Sequence, residues 1–196
     1  MIVLASASPR RRELLTKMGI RSFTVLPART EEPFDPSLPP GQALQRIALG
    51  KARDTASRVP AGDIVVAADT LVFLDGVPLG KPRDIRDAER MLRALSGREH
   101  LVVTGMAVLR GGEWRCDHAV TRVRFLPLTE EMIRWYLSTG EPMDKAGAYG
   151  VQGMGGLLVD TIDGDYYNVV GLPIAKLAPM LLWAGCDVFD ERGGEA

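Results

Sequence analysis

Five consecutive apolar residues, Ile64-Val65-Val66-Ala67-Ala68, run without any polar alternation. Such a run reads as a strand buried on both faces, as in an α/β sheet rather than a half-solvated antiparallel one. Asp69 ends the run, and Thr70 and a second apolar stretch, Leu71 to Leu74, follow it. A carboxylate within or just past a buried strand is costly unless it is paired, metal-bound or at a cleft. In α/β sheets the carboxyl ends of strands are where ligands sit. Asp-Thr would also suit a simple turn, but the renewed apolar run argues against one. Asp69 is the best candidate for a functional carboxylate in this chain.

The amino-terminal stretch LASASPRRRELL carries the second constraint. Ile2 to Leu4 reads as a short buried strand, and four small residues lead from it into a helix. Ser8 suits the N-cap and Pro9 the first helical position, where a missing N–H costs nothing. Unsatisfied N–H groups and the helix dipole favour an anion at such a start. Arg10, Arg11 and Arg12 are electrostatically wrong for the helix alone, so either they are solvated or some of them help to hold that anion. Successive side chains diverge by about 100° around a helix, so at most two of the three can face one ligand.

The chain as a whole sets broad limits. Its 196 residues fit one domain, taken as 1–190 with a frayed polar tail over 191–196, and 46% hydrophobic content allows a substantial core. A net charge of −1 argues against a nucleic-acid-coating protein, so any basic patch is local. Cys116 and Cys186 have no metal-ligand spacing and make no disulfide framework, which points to a reducing, cytoplasmic setting. Nothing resembles a signal peptide or a membrane span.

Further along, Gly19 stops the first helix and Phe23 to Leu26 reads as a strand. Pro27 to Pro40 is a Pro-rich, acidic loop. Glu31 and Glu32 within it are either solvated or the source of one carboxylate for a Mg²⁺ site. A helix over Gly41 to Arg58 carries Lys51 on or beside its apolar face, where it either snorkels or is aimed into a cleft. Asp75-Gly76 signals a hairpin turn. Lys81 lies between Gly80 and Pro82, a rigid setting that suits a ligand contact as well as a surface lysine; neither it nor Gly50-Lys51 has P-loop spacing.

Asp84 to Leu95 reads as an amphipathic helix with Ile85, Ala88, Met91, Leu92 and Leu95 as its core stripe. His100 to Leu109 and Trp114 to Leu126 form a long hairpin, with His100 and His118 as strand residues near the surface. A helix capped by Thr129 runs to Thr139. The stretch GEPMDKAGAYGVQGMGG, residues 140–156, has the glycines for an irregular backbone near a ligand and supplies Asp144, Lys145, Tyr149 and Gln152. A strand over Leu157 to Ile162 and a last helix from Pro173 complete the chain.

Taken together, LASASPRRRELL, AADTLVFLDGVPLGKPRD and GEPMDKAGAYGVQGMGGLLVDTIDGDYYNVVGLP resemble the Maf family of nucleotide pyrophosphatases over nearly the whole length. The resemblance implies a mixed, curved central sheet flanked by helices, similar to inosine-triphosphate pyrophosphatases, with two lobes around a cleft. It implies Mg²⁺-assisted (or Mn²⁺-assisted) hydrolysis of a nucleoside triphosphate to the monophosphate and pyrophosphate, and a homodimer. Carried over by motif, Asp69 is implied to be the general base, with Asp69 and Glu32 as metal ligands. Ser8, Arg10, Arg11, Lys51, Lys81 and Lys145 are implied to hold the substrate. Arg10, Thr70 and Gln152 match the subgroup that prefers dTTP and UTP. Arg11 is then the phosphate holder and Arg12 the expendable arginine.

The residue chemistry agrees. A triphosphate carries about four negative charges, so it needs several cations and a metal. A carboxylate is a weak base unless its surroundings raise its pKa, so Asp69 is a base, a water-orienting group or a metal ligand. A house-cleaning enzyme acting on normal or modified nucleotides competes with two other readings. One is a nucleotide-binding regulator of septum formation without essential turnover; the other is a phosphatase releasing orthophosphate.

Overall fold

A computed structural model of the chain describes residues 1–30 and 32–189. Glu31 and the polar tail expected over 191–196 lie outside the described residues. The elements, in order, are β1 (Ile2–Leu4), α1 (Pro9–Lys17), β2 (Phe23–Val25), α2 (Pro40–Ala56), β3 (Ile64–Leu74), β4 (Val77–Leu79) and α3 (Ile85–Leu95). They continue as β5 (Glu99–Arg110), β6 (Glu113–Phe125), α4 (Glu130–Ser138), β7 (Val159–Asp163), α5 (Tyr166–Val170) and α6 (Ile174–Trp183).

Among the described residues seven strands make one mixed sheet in the order β2-β1-β3-β5-β6-β7, with β4 paired to β3. β1 runs parallel to both β2 and β3, with Leu4 opposite Val66, whereas β4 and β7 pair antiparallel with β3 and β6. The expected α/β class with helices on a central sheet is therefore what the chain adopts. No helix among the described residues is long and apolar enough to cross a membrane.

The described residues group into two compact units, divided inside β3, β5 and β6 and after α5. The first comprises Met1–Asp69, Thr104–Ala119 and the chain from Gly171 onward. Its core joins Val3 of β1 and the next residue but one, Ala5, with Val65 and Ala67 of β3, Ala107 and Leu109 of β5, and Ala48 and Ala52 of α2. The preference for alanine has a steric reason. The backbone of α2 comes so near to β5 that a Cβ on Gly105 would stand 2.2 Å from the carbonyl carbon of Leu44.

The second unit, Thr70–Val103 with Val120–Val170, packs α3 and α4 on Val72, Leu74, Val102, Val123 and Phe125. Asp84 caps α3 by accepting from the Asp87 N–H at 2.8 Å, and Thr129 caps α4 in the same way. Both follow from side-chain oxygens serving otherwise unpaired first-turn amides.

Several expectations need correction. β3 is one continuous strand through Asp69 rather than two runs meeting there. Ile85, placed in the core stripe of α3, is 60% exposed at the first position of the helix, whereas Ala88, Met91, Leu92 and Leu95 enter the core cluster. His100 is buried rather than near the surface: an edge-to-face stack with Phe125 and Tyr149 encloses it. The glycine-rich stretch, expected to have an irregular backbone, folds into three short 3₁₀ turns, at Glu141–Asp144, Ala146–Ala148 and Met154–Leu158. α5 had no periodicity long enough to announce it.

Candidate active site

Strand alternation decides where Asp69 points. Val65 and Ala67 face α2 in the core of the first unit, and a period of two puts Asp69 on that same side. α2 answers with Lys51, one residue before the fully buried Ala52. The Lys51 Nζ donates to Asp69 Oδ1 at 2.5 Å, and the two side chains are only 14% and 17% exposed. This pairing meets the condition under which a carboxylate can be tolerated in an apolar strand. Lys51 is thus aimed inward rather than snorkelling.

The turn between β1 and α1 comes level with this point, because β1 is parallel to β3 and the Ala5 N–H donates to the Val66 carbonyl. Arg11 Nη1 donates to Ser6 Oγ at 3.1 Å and its Nε to the Gly171 carbonyl at 2.9 Å. Burial lowers the Arg11 pKa; the Asp69 carboxylate opposes that shift and Arg10 adds to it. Arg11 therefore senses both the catalytic candidate and its own neighbour.

Ser8 occupies the N-cap position and Pro9 follows, as expected, yet the Ser8 hydroxyl makes no capping bond. Its N–H instead donates to Ser6 Oγ at 3.3 Å. Ser6 was only one small residue among four in the sequence. Its role as the acceptor that joins Ser8 to Arg11 has no signature there. Arg10 is half-buried and Arg12 exposed, in line with the divergence of successive helical side chains.

Glu32 approaches the same helix from the preceding loop. Its carboxylate accepts from Arg46 Nε at 3.2 Å and lies over Gly50, where a Cβ would stand 2.5 Å from Oε1. Glu32 and Asp69 thus contact successive residues of α2, Gly50 and Lys51. Mg²⁺ is ordinarily held by one or two carboxylates together with substrate phosphates and water. The described residues contain no group of three or more metal-ligating side chains, and a two-carboxylate donor set is compatible with that chemistry.

The remaining candidates belong to the second unit. Thr70 is half-buried, next after Asp69 in β3. Lys81 is exposed, and the Gly80 carbonyl before it accepts from the Gly147 N–H at 3.0 Å. Gln152 is exposed on the turn between Gly150 and Gly153. Lys145 is folded back: its Nζ donates to the Glu141 carbonyl and to Asp144 Oδ1, each at 2.6 Å.

One residue of this stretch carries no site signal in the sequence. The Glu141 carboxylate accepts from Tyr136 Oη at 2.9 Å, from the Met154 N–H at 2.9 Å and from the Gly155 N–H at 3.2 Å. Burial would raise its pKa, but those three donors and Lys145 outweigh burial and lower it. His100 donates to or accepts from Tyr149 Oη at 2.8 Å, and burial drives the pKa of this imidazole down to about 4, with the Arg98 backbone opposing.

Comparison with known proteins adds four findings. Residues 1–183 match the family model described as Maf-like protein. A dTTP/UTP pyrophosphatase of Symbiobacterium thermophilum is 50% identical over 193 residues, covering 98% of each chain. A dTTP/UTP pyrophosphatase of Thermococcus kodakarensis is 51% identical over 174 residues, covering 89% of this chain and 92% of that one. Among solved structures, a HAM1 protein from Coxiella burnetii is similar at 18% identity and a TM-score of 0.48, over 63% of this chain and 72% of that chain.

Proposed function

The chain belongs to the Maf family, and from that premise we propose that it is a nucleoside triphosphate pyrophosphatase acting on dTTP and UTP. Relatives at about 50% identity over almost the whole length, which carry that name, support the reading. The observation that carries it is the Lys51–Asp69 pair: a carboxylate in the middle of a buried strand, paired with Lys51 and within the electrostatic reach of Arg11.

In this reading Lys51, Arg11 and the first-turn amides of α1 take the phosphates, and Ser8 lies beside them. A phosphate oxygen that draws the Lys51 ammonium toward itself frees Asp69 to orient water. That water adds at the α-phosphorus, the bond to the β-phosphate oxygen breaks, and pyrophosphate leaves while the water proton passes to Asp69 or to solvent. Lys81 adds positive charge. Lys145 reaches a phosphate only by giving up Asp144 and the Glu141 carbonyl, so it ranks last among the cations. Arg10, Thr70 and Gln152 select the nucleotide.

Glu32 and Asp69 are the residues that would hold Mg²⁺. When bound with the phosphates, the metal would offset charge developing at the attacked phosphorus.

The decisive test is a screen of normal and modified nucleoside triphosphates with and without Mg²⁺, with pyrophosphate and orthophosphate measured separately. Pyrophosphate from dTTP and UTP in the presence of Mg²⁺ is the expected result. Stepwise orthophosphate, or tight binding without turnover, overturns the proposal and favours a phosphatase or a regulatory nucleotide-binding protein.

A further inference from the structure

The turn that carries Gln152 is built around one carboxylate. Gly150 donates its N–H to Tyr136 Oη at 3.2 Å, and Tyr136 Oη donates in turn to Glu141 Oε1 at 2.9 Å. On the other side of Gln152, the Met154 N–H reaches Glu141 Oε2 at 2.9 Å and the Gly155 N–H reaches Oε1 at 3.2 Å. Both ends of the turn are therefore fixed, two residues before Gln152 and two after it, by the same Tyr136–Glu141 pair.

The glycines follow from this closeness. A Cβ on Gly153 would stand 2.3 Å from Glu141 Oε2, and one on Gly155 would stand 2.5 Å from Tyr136 Oη. Only residues without a Cβ let the backbone wrap a carboxylate so tightly. The side chain of Gln152 is left exposed at the crest.

We infer that Glu141, with Tyr136, is a positioning residue for nucleotide selection: it sets the height and direction at which Gln152 is presented to the base. The inference rests on the proposed role of Gln152 in choosing the nucleotide. Glu141 contacts neither base nor phosphate in this scheme. Its side-chain hydrogen bonds go to Tyr136 and to the backbone of residues 154 and 155, so it should affect which nucleotide is taken rather than how fast a bound one is cleaved.

Glu141→Gln is a sharp probe because an amide cannot satisfy the same donors. If its NH₂ replaces Oε2 it faces the Met154 N–H, and if it replaces Oε1 it faces the Gly155 N–H. Either orientation sets two donors against each other and loosens one end of the turn. Tyr136→Phe removes the tether at Gly150 while leaving the carboxylate in place.

The experiment measures kcat and KM for UTP and CTP in the wild type, Glu141→Gln, Tyr136→Phe and Gln152→Ala, with circular dichroism confirming the fold. Glu141→Gln should raise KM for UTP roughly 5- to 10-fold and reduce the preference for UTP over CTP by a similar factor, with kcat within about 2-fold. Tyr136→Phe should move the same quantities in the same direction by less, and it remains the test if Glu141→Gln fails to fold. If Gln152→Ala changes the preference while the folded Glu141 and Tyr136 variants keep it, the inference is overturned and the underlying reading stands. If Gln152→Ala leaves the preference unchanged, the reading of Gln152 fails and takes this inference with it. A fall in kcat with the preference intact also overturns it.

Discussion

Asp69 and Glu141 are both partly buried carboxylates, and the protein neutralises them in opposite ways. Asp69, on a regular strand, is met by a flexible cation, Lys51, with Arg11 near enough to be felt. Glu141, on a 3₁₀ turn, is met by a tyrosine hydroxyl and two backbone amides. A lysine can exchange one anion for another by rotating about its own side-chain bonds, whereas a backbone amide cannot leave without moving the chain. The first arrangement is suited to a site that changes partners during a reaction. The second is suited to a scaffold.

The largest expected effect tests the exchangeable carboxylate. Asp69→Asn keeps the shape and removes the charge, so turnover should fall by roughly 10²-fold or more in a protein that still folds. Initial rates at saturating dTTP, alongside a thermal melt, measure both. Turnover close to wild type would remove Asp69 from the chemistry and erase the contrast with Glu141.

Arg11 comes next. Losing one charged hydrogen bond to a phosphate should lower kcat/KM by about 10- to 10²-fold in Arg11→Ala. Arg11→Lys should recover only part of it, because a point charge cannot serve Ser6 and Gly171 together. Full recovery by lysine would show that charge alone matters there.

The scaffold side has a titratable group of its own. His100 is buried against Tyr149 with its pKa near 4 instead of the usual 6.5. The folded protein therefore holds it neutral while the unfolded chain protonates it below 6.5. Stability is fully present above pH 6.5 and is lost as the pH falls toward 4, by about 2 kcal/mol at pH 5 relative to neutral pH. Urea midpoints at pH 7.5 and 5 should show this loss in the wild type and a smaller one in His100→Gln. Equal losses would place the acid sensitivity elsewhere.

The contrast also explains what could be read from the sequence. Regular elements were legible: the apolar run before Asp69 and the Ser-Pro helix start both depend on residues close together in the chain. What escaped were contacts without a side-chain signature. Glu141 is served by amides 13 and 14 residues further on, and an amide looks the same in every sequence. Ser6 passed as a small residue because its hydroxyl serves Ser8 and Arg11 rather than the cap it precedes. His100 is hidden from the sequence for a related reason. A polar residue on a strand reads as solvent-facing unless its buried partner, Tyr149, which lies 49 positions away, is known.

The smallest effect comes from the neighbour of Arg11. Arg12 is exposed on α1, about 100° around the axis from Arg11. Its backbone carbonyl already accepts from Thr16 Oγ1. Exposed charges away from a site change little, so Arg12→Ala should keep kcat/KM within about 2-fold of wild type and shift the melting temperature hardly at all. The pair of variants is therefore more informative than either alone. If Arg12→Ala cripples turnover while Arg11→Ala does not, the phosphate side of α1 has been drawn on the wrong face, and the electrostatic link from Arg11 to Asp69 belongs to folding rather than to catalysis.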